Sequence, residues 1–333
     1  MAEPKFLVVR LGSLGDIVHS FPAVSGLRQS FPDSKIIWLT HPTWETLVRA
    51  SNLASEVWAV DTRQLSSLRG ILTRIRRHQF DAAVDYQGLW KSASIPFFSG
   101  IARRIGFSSE TIREAGVQIL YTDRVNVTAA VHIADQNGLL SARAGAKRSV
   151  GEVQMCVSPE VEALVLASLQ KAGIGDYVVL SPGGGWGSKC WPAERFGKLA
   201  DRIATEFGLR CVVNAGPGDE EAVKAVVTAA ENTRPLSYCG TLEQLMALLK
   251  HAKAVVAGDT GPLHLANALR TPVVALFGPT DSARNGPYWP NAVILRWEGA
   301  ATTYKRAAEP DESLLHISVD EVMRALGGLR EVR

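Results

Sequence analysis

Short runs of apolar, often β-branched residues alternate with helix-length segments along the whole chain. In the first half, "FLVVR" (6–10), "KIIWLT" (35–40), "EVWAVD" (56–61) and "DAAVDY" (81–86) are strand candidates, with helical segments at 43–50 and 66–78. The pattern restarts near Asp176 with "YVVLSPG" (177–183), "LRCVVNAG" (209–216), "KAVVAGD" (253–259) and "TPVVALFG" (271–278), separated by helices at 193–206, 218–231 and 242–250. Strands that are nearly continuous in apolar residues are buried on both faces, so they belong to parallel sheets covered by helices. Two such blocks predict an α/β chain with two Rossmann-like domains. The expected divisions are 1–155, 156–315 and a C-terminal helix at 316–333 that packs back on the first domain. The join lies within 145–175, where the polar "AGAKRSVGEVQ" precedes a helix at 159–172. The last helix opens at Ser318 with Glu321 three residues later, the pattern of a capping box.

Composition narrows the class. The 333 residues, 46% apolar and 21% charged, suit a globular chain with substantial cores. No apolar run reaches the roughly 18 residues of a membrane span, and the first 25 residues lack the order of a signal peptide. The four cysteines (Cys156, Cys190, Cys211, Cys239) lie far apart without nearby histidine partners, which argues against a zinc site and for a reducing compartment. Residues 1–150 carry 18 Lys and Arg against 12 Asp and Glu, whereas the remainder carries 18 against 21. The basic first half suits an anionic partner, and nothing resembles a nucleic-acid-binding module.

In open parallel sheets, ligands bind beyond the carboxyl ends of the strands, so the loops that follow strands are where chemistry is expected. The first, "RLGSLGDIVHS" (10–20), is not a G-x-G-x-x-G dinucleotide fingerprint, and no acidic residue ends the second strand to hold a ribose. Asp16 there reads either as a helix cap or as a general base acting on a hydroxyl. The second, "SPGGGWGSKCWP" (181–192), brings flexible glycines (Gly184, Gly185) and Lys189 to an anion, although it fails the Walker pattern. The third, "GDTGPLHLANAL" (258–269), has Pro262 in a first helical turn with Asp259 or Thr260 as cap. Its helix N-terminus, with Gly261 and His264, suits a diphosphate. Glu220 in "NAGPGDEEA" (214–222) can accept from ribose hydroxyls, and Gln87 and Lys91 in "DYQGLWKSA" (85–93) face a polar anionic ligand.

"SLGDIVHSFPAV", "DYQGLWKSA", "DTGPLHLANAL" with "FGPTD", "GSKCWPAERF" and "CGTLEQLMALL" together resemble the bacterial lipopolysaccharide heptosyltransferases, glycosyltransferase family 9, over nearly the whole chain and in order. The resemblance is greatest to heptosyltransferase I. It implies a GT-B fold, two Rossmann-like domains with parallel sheets facing across a cleft. It also implies an inverting transfer of L-glycero-D-manno-heptose from ADP-heptose to Kdo-lipid A without a metal cofactor. A heptosyltransferase II-like enzyme, or a member with another sugar nucleotide or acceptor, is the alternative. By the same resemblance Asp16 is the base, while Lys189 with Thr260, Gly261 and His264 holds the diphosphate. Glu220 meets the ribose, Asp259 the heptose and diphosphate, and Gly240 and Thr241 the adenine. Ser13, Gly15, Gln87, Lys91 and Arg63 fall to the acceptor. The expected location is cytoplasmic, peripheral to the inner face of the inner membrane. The loop at 60–70 is shorter than in many such enzymes and offers Arg63 and Arg69 to acceptor phosphates, with Arg74, Arg76 and Arg77 on the next helix.

Overall fold

The computed structural model describes residues 3–147, 150–216 and 218–331. Within the expected join, residues 148 and 149 lie outside the described residues, as does residue 217 in the Glu220 loop. The chain divides into two compact units, Met1–Cys156 and Val157–Arg333.

The first unit runs β1 (Lys5–Val9), α1 (Leu14–Ser30), β2 (Lys35–Thr40), α2 (Glu45–Ala50), β3 (Glu56–Ala59), α3 (Leu65–Arg76), β4 (Ala82–Asp85), α4 (Trp90–Phe98), β5 (Arg104–Phe107), β6 (Asp123–Val125) and α5 (Ile133–Ala144). Its six strands pair in parallel in the order β3-β2-β1-β4-β5-β6, with Val8 beside Trp38 on one side and Val84 on the other. One sheet face packs Leu7, Val9, Ile37 and Leu39 against Ile71 and Ile75 of α3 and Ile95 of α4. On α5, Asn137 and Ser141 donate to the carbonyls of His19 and Ala23 in α1 (3.2 and 2.7 Å) and tie those two helices together.

The second unit repeats the plan. It contains α6 (Pro159–Lys171), β7 (Tyr177–Ser181), α7 (Ala193–Phe207), β8 (Arg210–Ala215), α8 (Glu220–Ala229), β9 (Leu236–Cys239), α9 (Leu242–Lys250), β10 (Ala254–Gly258), α10 (Gly261–Ala268) and β11 (Val273–Phe277). It ends with α11 (Ser282–Asn285), β12 (Ala292–Arg296), α12 (Glu312–Leu315) and α13 (Val319–Glu331). The sheet order β12-β11-β10-β7-β8-β9 is again all parallel, so both units have the same strand order read from opposite edges. Ser318 and Glu321 form the expected reciprocal cap, with Ser318 N donating to Glu321 (2.7 Å) and Glu321 N to the Ser318 hydroxyl (3.2 Å). The C-terminal helix α13 places Val322, Met323 and Leu326 in the core of the second unit beside α7. Its apolar stripe is used up there, and Trp191 Nε1 anchors the preceding turn on the Ile317 carbonyl (3.0 Å).

The eight expected strands and the helices between them are present, with ends shifted by a few residues. Among the elements that escape the pattern are the strands β5, β6, β9 and β12 and the helices α5, α11 and α12. Three of these strands, β6, β9 and β12, lie at sheet edges, where residues are half exposed and no continuous apolar run is needed.

Behind the end of β4, the buried Asp85 carboxylate accepts from the Gln87 amide (2.9 Å), Ser92 Oγ (2.8 Å) and Tyr121 OH (2.7 Å), which shapes the loop carrying Gln87. A Cβ on Gly106 in β5 would collide with the ring of Tyr121. Gly106→Ala should therefore push that phenol off Asp85 and lower stability by about 1–3 kcal/mol, read as a reduced urea midpoint at unchanged slope.

Candidate active site

In the first unit the chain turns left after β1, to β2, and right after β4, to β5. The crevice of such a sheet lies at the carboxyl ends of these two strands. From β1 the chain passes through Arg10, Leu11, Gly12 and Ser13 into α1, whose first turn carries Asp16. Arg10 is buried, donates to the Tyr86 carbonyl and pairs with Asp16 Oδ1 at 2.7 Å. The other Asp16 oxygen accepts from the Ser13 amide (3.1 Å) and hydroxyl (3.0 Å). Asp16 is thus both the third-position partner of the Ser13 cap and an ion-paired carboxylate. Burial raises its pKa, but Arg10, the Ser13 hydrogen bond and, more weakly, Arg113 and His19 outweigh this and hold it at about 2.

A cavity of about 430 Å³ opens over this loop. Its lining includes Ser13, Asp16, Arg63, Gln87 and Lys91, so four of the five residues expected to meet an acceptor lie together with the expected base. Gly15, the fifth, lies in the first turn of α1 and is not part of the lining. Gln87 is held in place by accepting from Leu11 N (2.8 Å), and a Cβ on Gly12 would come within 2.8 Å of Trp44 Nε1. His41 and Asp61 complete the polar wall, 3.8 Å apart, with the ring Nδ1 of His41 2.9 Å from Thr43 Oγ1. Sequence reasoning missed this pair, although His41 directly follows β2 and Asp61 lies two residues beyond the end of β3, at the edge where ligands gather. The expected arginines of α3 are in part otherwise engaged. Arg74 pairs with Glu56 (3.3 Å) and lies over Trp58, and Arg76 donates to the Phe98 carbonyl (2.8 Å).

In the second unit the corresponding switch lies between β7 and β10. The loop after β7 makes a short turn at Gly187–Lys189, and Lys189 Nζ reaches across to the loop after β10. There it meets Asp259 at both the carboxylate (2.7 Å) and the carbonyl oxygen (3.1 Å). His264 Nε2 holds the other Asp259 oxygen at 3.1 Å. Burial pushes the Asp259 carboxyl up, but His264 and Lys189 together pull it well below the ordinary range. This trio surrounds the first turn of α10, where Thr260 is the cap and Gly261 and Pro262 follow. The buried hydroxyl oxygens of Thr260 and Thr280, the latter in the loop after β11, have no hydrogen-bond partner among the described residues. A helix N-terminus with a lysine and idle hydroxyls is suited to anionic oxygen.

The remaining expected donor residues are spread along the same sheet edge. Gly184 and Gly185 precede the lysine turn, and Gly185 has φ +71° with open space where a side chain would be. Glu220 opens α8 and is exposed, accepting weakly from Gly218 N (3.4 Å). Gly240 and Thr241 follow β9, and the Thr241 hydroxyl caps α9 by accepting from Gln244 N (3.2 Å). Two further residues were not anticipated. The Trp186 ring lies 4.4 Å from Lys189 Nζ and 4.8 Å from the guanidinium of Arg306. Residues 305–308 are drawn onto the glycine loop, where Ser188 N donates to Ala307 O (3.0 Å) and a Cβ on Gly187 would strike the Ala308 carbonyl.

The model of glycosyltransferase family 9 (heptosyltransferase) matches residues 69–313. Lipopolysaccharide heptosyltransferase 1 of Escherichia coli K12 is 25% identical, the match covering 98% of this chain and 100% of that protein. Lipopolysaccharide heptosyltransferase 2 of Salmonella typhimurium is 26% identical, with 98% of each chain covered. The solved structure of the ADP-heptose lipopolysaccharide heptosyltransferase II of E. coli superposes with a TM-score of 0.84 at 22% identity, covering 99% of this chain and 100% of that one. The architecture is the α/β GT-B fold of these enzymes.

Removing Lys189 leaves a buried carboxylate short of a partner. Lys189→Met should cost about 3 kcal/mol in denaturant unfolding at pH 7, and Lys189→Met with Asp259→Asn should cost less than the two single losses added. Because the folded pKa of Asp259 is depressed, the stabilisation is fully present above the ordinary carboxylate value near pH 4 and fades as pH falls toward the folded value. The deficit of Lys189→Met should shrink in acid accordingly.

Proposed function

The chain belongs to glycosyltransferase family 9, the heptosyltransferases, and we propose that it transfers L-glycero-D-manno-heptose from ADP-heptose to the Kdo residue of a lipopolysaccharide inner-core acceptor. One observation carries the donor reading. Along the carboxyl edge of the second sheet, Gly240 and Thr241 follow β9, Glu220 follows β8, Lys189 follows β7, and Asp259 and Thr260 follow β10. Neighbouring strands lie about 4.8 Å apart, so this is an extended track read in one direction. Its order is that of adenine, ribose, diphosphate and sugar in a nucleotide sugar.

In this reading the heptose–phosphate bond breaks as the acceptor oxygen bonds to the anomeric carbon from the opposite face, which inverts the configuration. ADP departs with the negative charge. Lys189, the α10 amides and the Thr260 hydroxyl receive it, and fixed groups of this kind stabilise charge more effectively than water that must reorient. Asp259 holds Lys189 in position while the donor is away. The acceptor hydroxyl loses its proton to Asp16. A carboxylate with a pKa of about 2 is a feeble base toward a free alcohol. The demand on it is small, because the hydroxyl becomes strongly acidic as its oxygen bonds to an electron-poor sugar carbon. The two signs of charge in the first-unit cavity also fit this acceptor: Arg63 and Lys91 suit the carboxylate of Kdo, and Gln87 and His41 its hydroxyls. A heptose acceptor is the second reading, favoured by the nearly equal identity to heptosyltransferases 1 and 2.

Asp16→Asn should lower turnover by roughly 10²–10⁴-fold and leave ADP affinity by calorimetry within about twofold of wild type. Unchanged turnover would remove the base assignment. Lys189→Ala should weaken ADP binding by at least about tenfold through loss of a charge-assisted contact. Mass spectrometry of products from ADP-heptose with Kdo-lipid A, and separately with heptosyl-Kdo-lipid A, decides the acceptor: mass gain on the second alone would exclude Kdo.

A further inference from the structure

We propose that the flank formed by α3, α4 and the turn Val117–Leu120 is a docking surface for an anionic phospholipid bilayer. The proposal rests on the reading above that the acceptor is borne on a lipid.

Its first support is charge. Residues 62–80 contain five arginines and no aspartate or glutamate, and residues 86–109 contain Lys91, Arg103 and Arg104 with no acid. Arg74 and Arg103 are paired with Glu56 and Asp123, and Glu114 accepts from Trp90 N (2.6 Å), so the excess of positive charge on this flank rests on Arg69, Arg76, Arg77, Lys91 and Arg104. In α3, Leu68, Ile71, Leu72 and Ile75 turn into the core, so the outward stripe carries Arg69, Arg76 and, at the cap, Arg77. A solvated helix face ordinarily mixes both signs, whereas this one is of a single sign.

The second support is exposed aromatic and aliphatic surface beside those arginines. Phe97 and Phe98 at the end of α4 are 40% and 61% exposed, Trp90 at its start is 43% exposed, and Ile119 is 60% exposed. They form one surface. Arg76 is hydrogen-bonded to the Phe98 carbonyl, Phe97 and Phe98 meet edge-on at 5.3 Å, and Arg104 lies over Phe97 while donating to the Leu120 carbonyl. Aromatic rings standing among arginines, with neither packed away, match the boundary between headgroups and acyl chains. The exposed Leu164 and Leu166 of α6 make a useful contrast, since that helix opens with Glu160 and Glu162. The flank also begins at the cavity: Lys91 in the first turn of α4 lines it, and Phe98 lies about 10 Å further along the helix. An acceptor sugar in the cavity would keep its lipid on this side.

Co-sedimentation of the full chain with phosphatidylcholine vesicles, with and without about one-third phosphatidylglycerol, tests the surface without any substrate. Binding should be roughly tenfold stronger to the anionic vesicles and fall steeply with salt. Phe97→Ser with Phe98→Ser, and separately Arg77→Glu, should each reduce it by roughly tenfold. These two variants alter different chemistry at exposed positions, so a folding defect in one leaves the other decisive. Equal binding by wild type and both variants, or no preference for the anionic vesicles, would overturn the proposal. So would a dimer in sedimentation velocity that Phe98→Ser dissociates, because the patch would then belong to a second copy of the chain. Heptose transfer to a soluble Kdo acceptor without lipid is measured alongside: vesicle binding without transfer upholds the surface and refutes the catalytic reading, and transfer without vesicle binding does the reverse.

Discussion

Parallel pairing places every strand's carboxyl end on one edge of the sheet, and the rest of this molecule follows from that placement. A parallel strand must be reached by a crossover, here almost always a helix, and the crossover helices therefore begin soon after a strand ends. In both units the edge accordingly gathers helix N-termini with their unpaired amides and partial positive charge. The chain reverses its direction of travel between β1 and β4, and again between β7 and β10, so at those points two loops part and leave room. The two polar clusters stand at those two places. Arg10, Asp16 and Gln87 belong to the first, and Lys189, Asp259 and Thr260 to the second. Distant stretches of sequence meet there because the strand order brings them together.

Much of this was legible along the chain because the signals were local. Continuous apolar runs such as "YVVLS" and "AVVAG" mark central strands, since a residue covered on both faces has no reason to be polar. Glycines beside Lys189 and Pro262 at a first helical turn were equally visible as features of ligand-binding loops. What remained hidden depends on partners far away in sequence. Tyr121 finds Asp85 only through the pairing of β5 with β4, and Arg306 finds Trp186 only because residues 305–308 return to the glycine loop. The edge strands β6 and β9 were hidden for another reason: half exposed, they need no distinctive composition. Asp16 offered two readings in sequence, cap or base, and the structure shows why composition could not choose. One oxygen serves the Ser13 cap while the other meets Arg10, so a good cap is also a carboxylate held in a fixed orientation over the cavity.

The duplicated topology makes the difference between the two clusters informative. Each has a cation and a carboxylate 2.7 Å apart at its switch point, so pairing alone does not say which group is available to a ligand. Exposure does. In the first unit the arginine side chain is 8% exposed and the aspartate 32%, so the cation is interred and the carboxylate is presented. In the second, Asp259 is 8% exposed and held on both oxygens, while Lys189 is 13% exposed and borders a helix N-terminus with idle hydroxyls. Asp259 is thus poorly placed to take a proton, for it would have to surrender its contacts with Lys189 and His264 in a buried setting where an unpaired charge is costly. Asp16 gives up less, because its partner Arg10 keeps the Tyr86 carbonyl and its own carboxylate stays in contact with the cavity. The same fold, with the same kind of ion pair at the same topological position, thus presents the carboxylate in one unit and encloses it between Lys189 and His264 in the other. In the proposed reading, that difference is what leaves Asp16 free to act as the base and Lys189 to hold the departing anion.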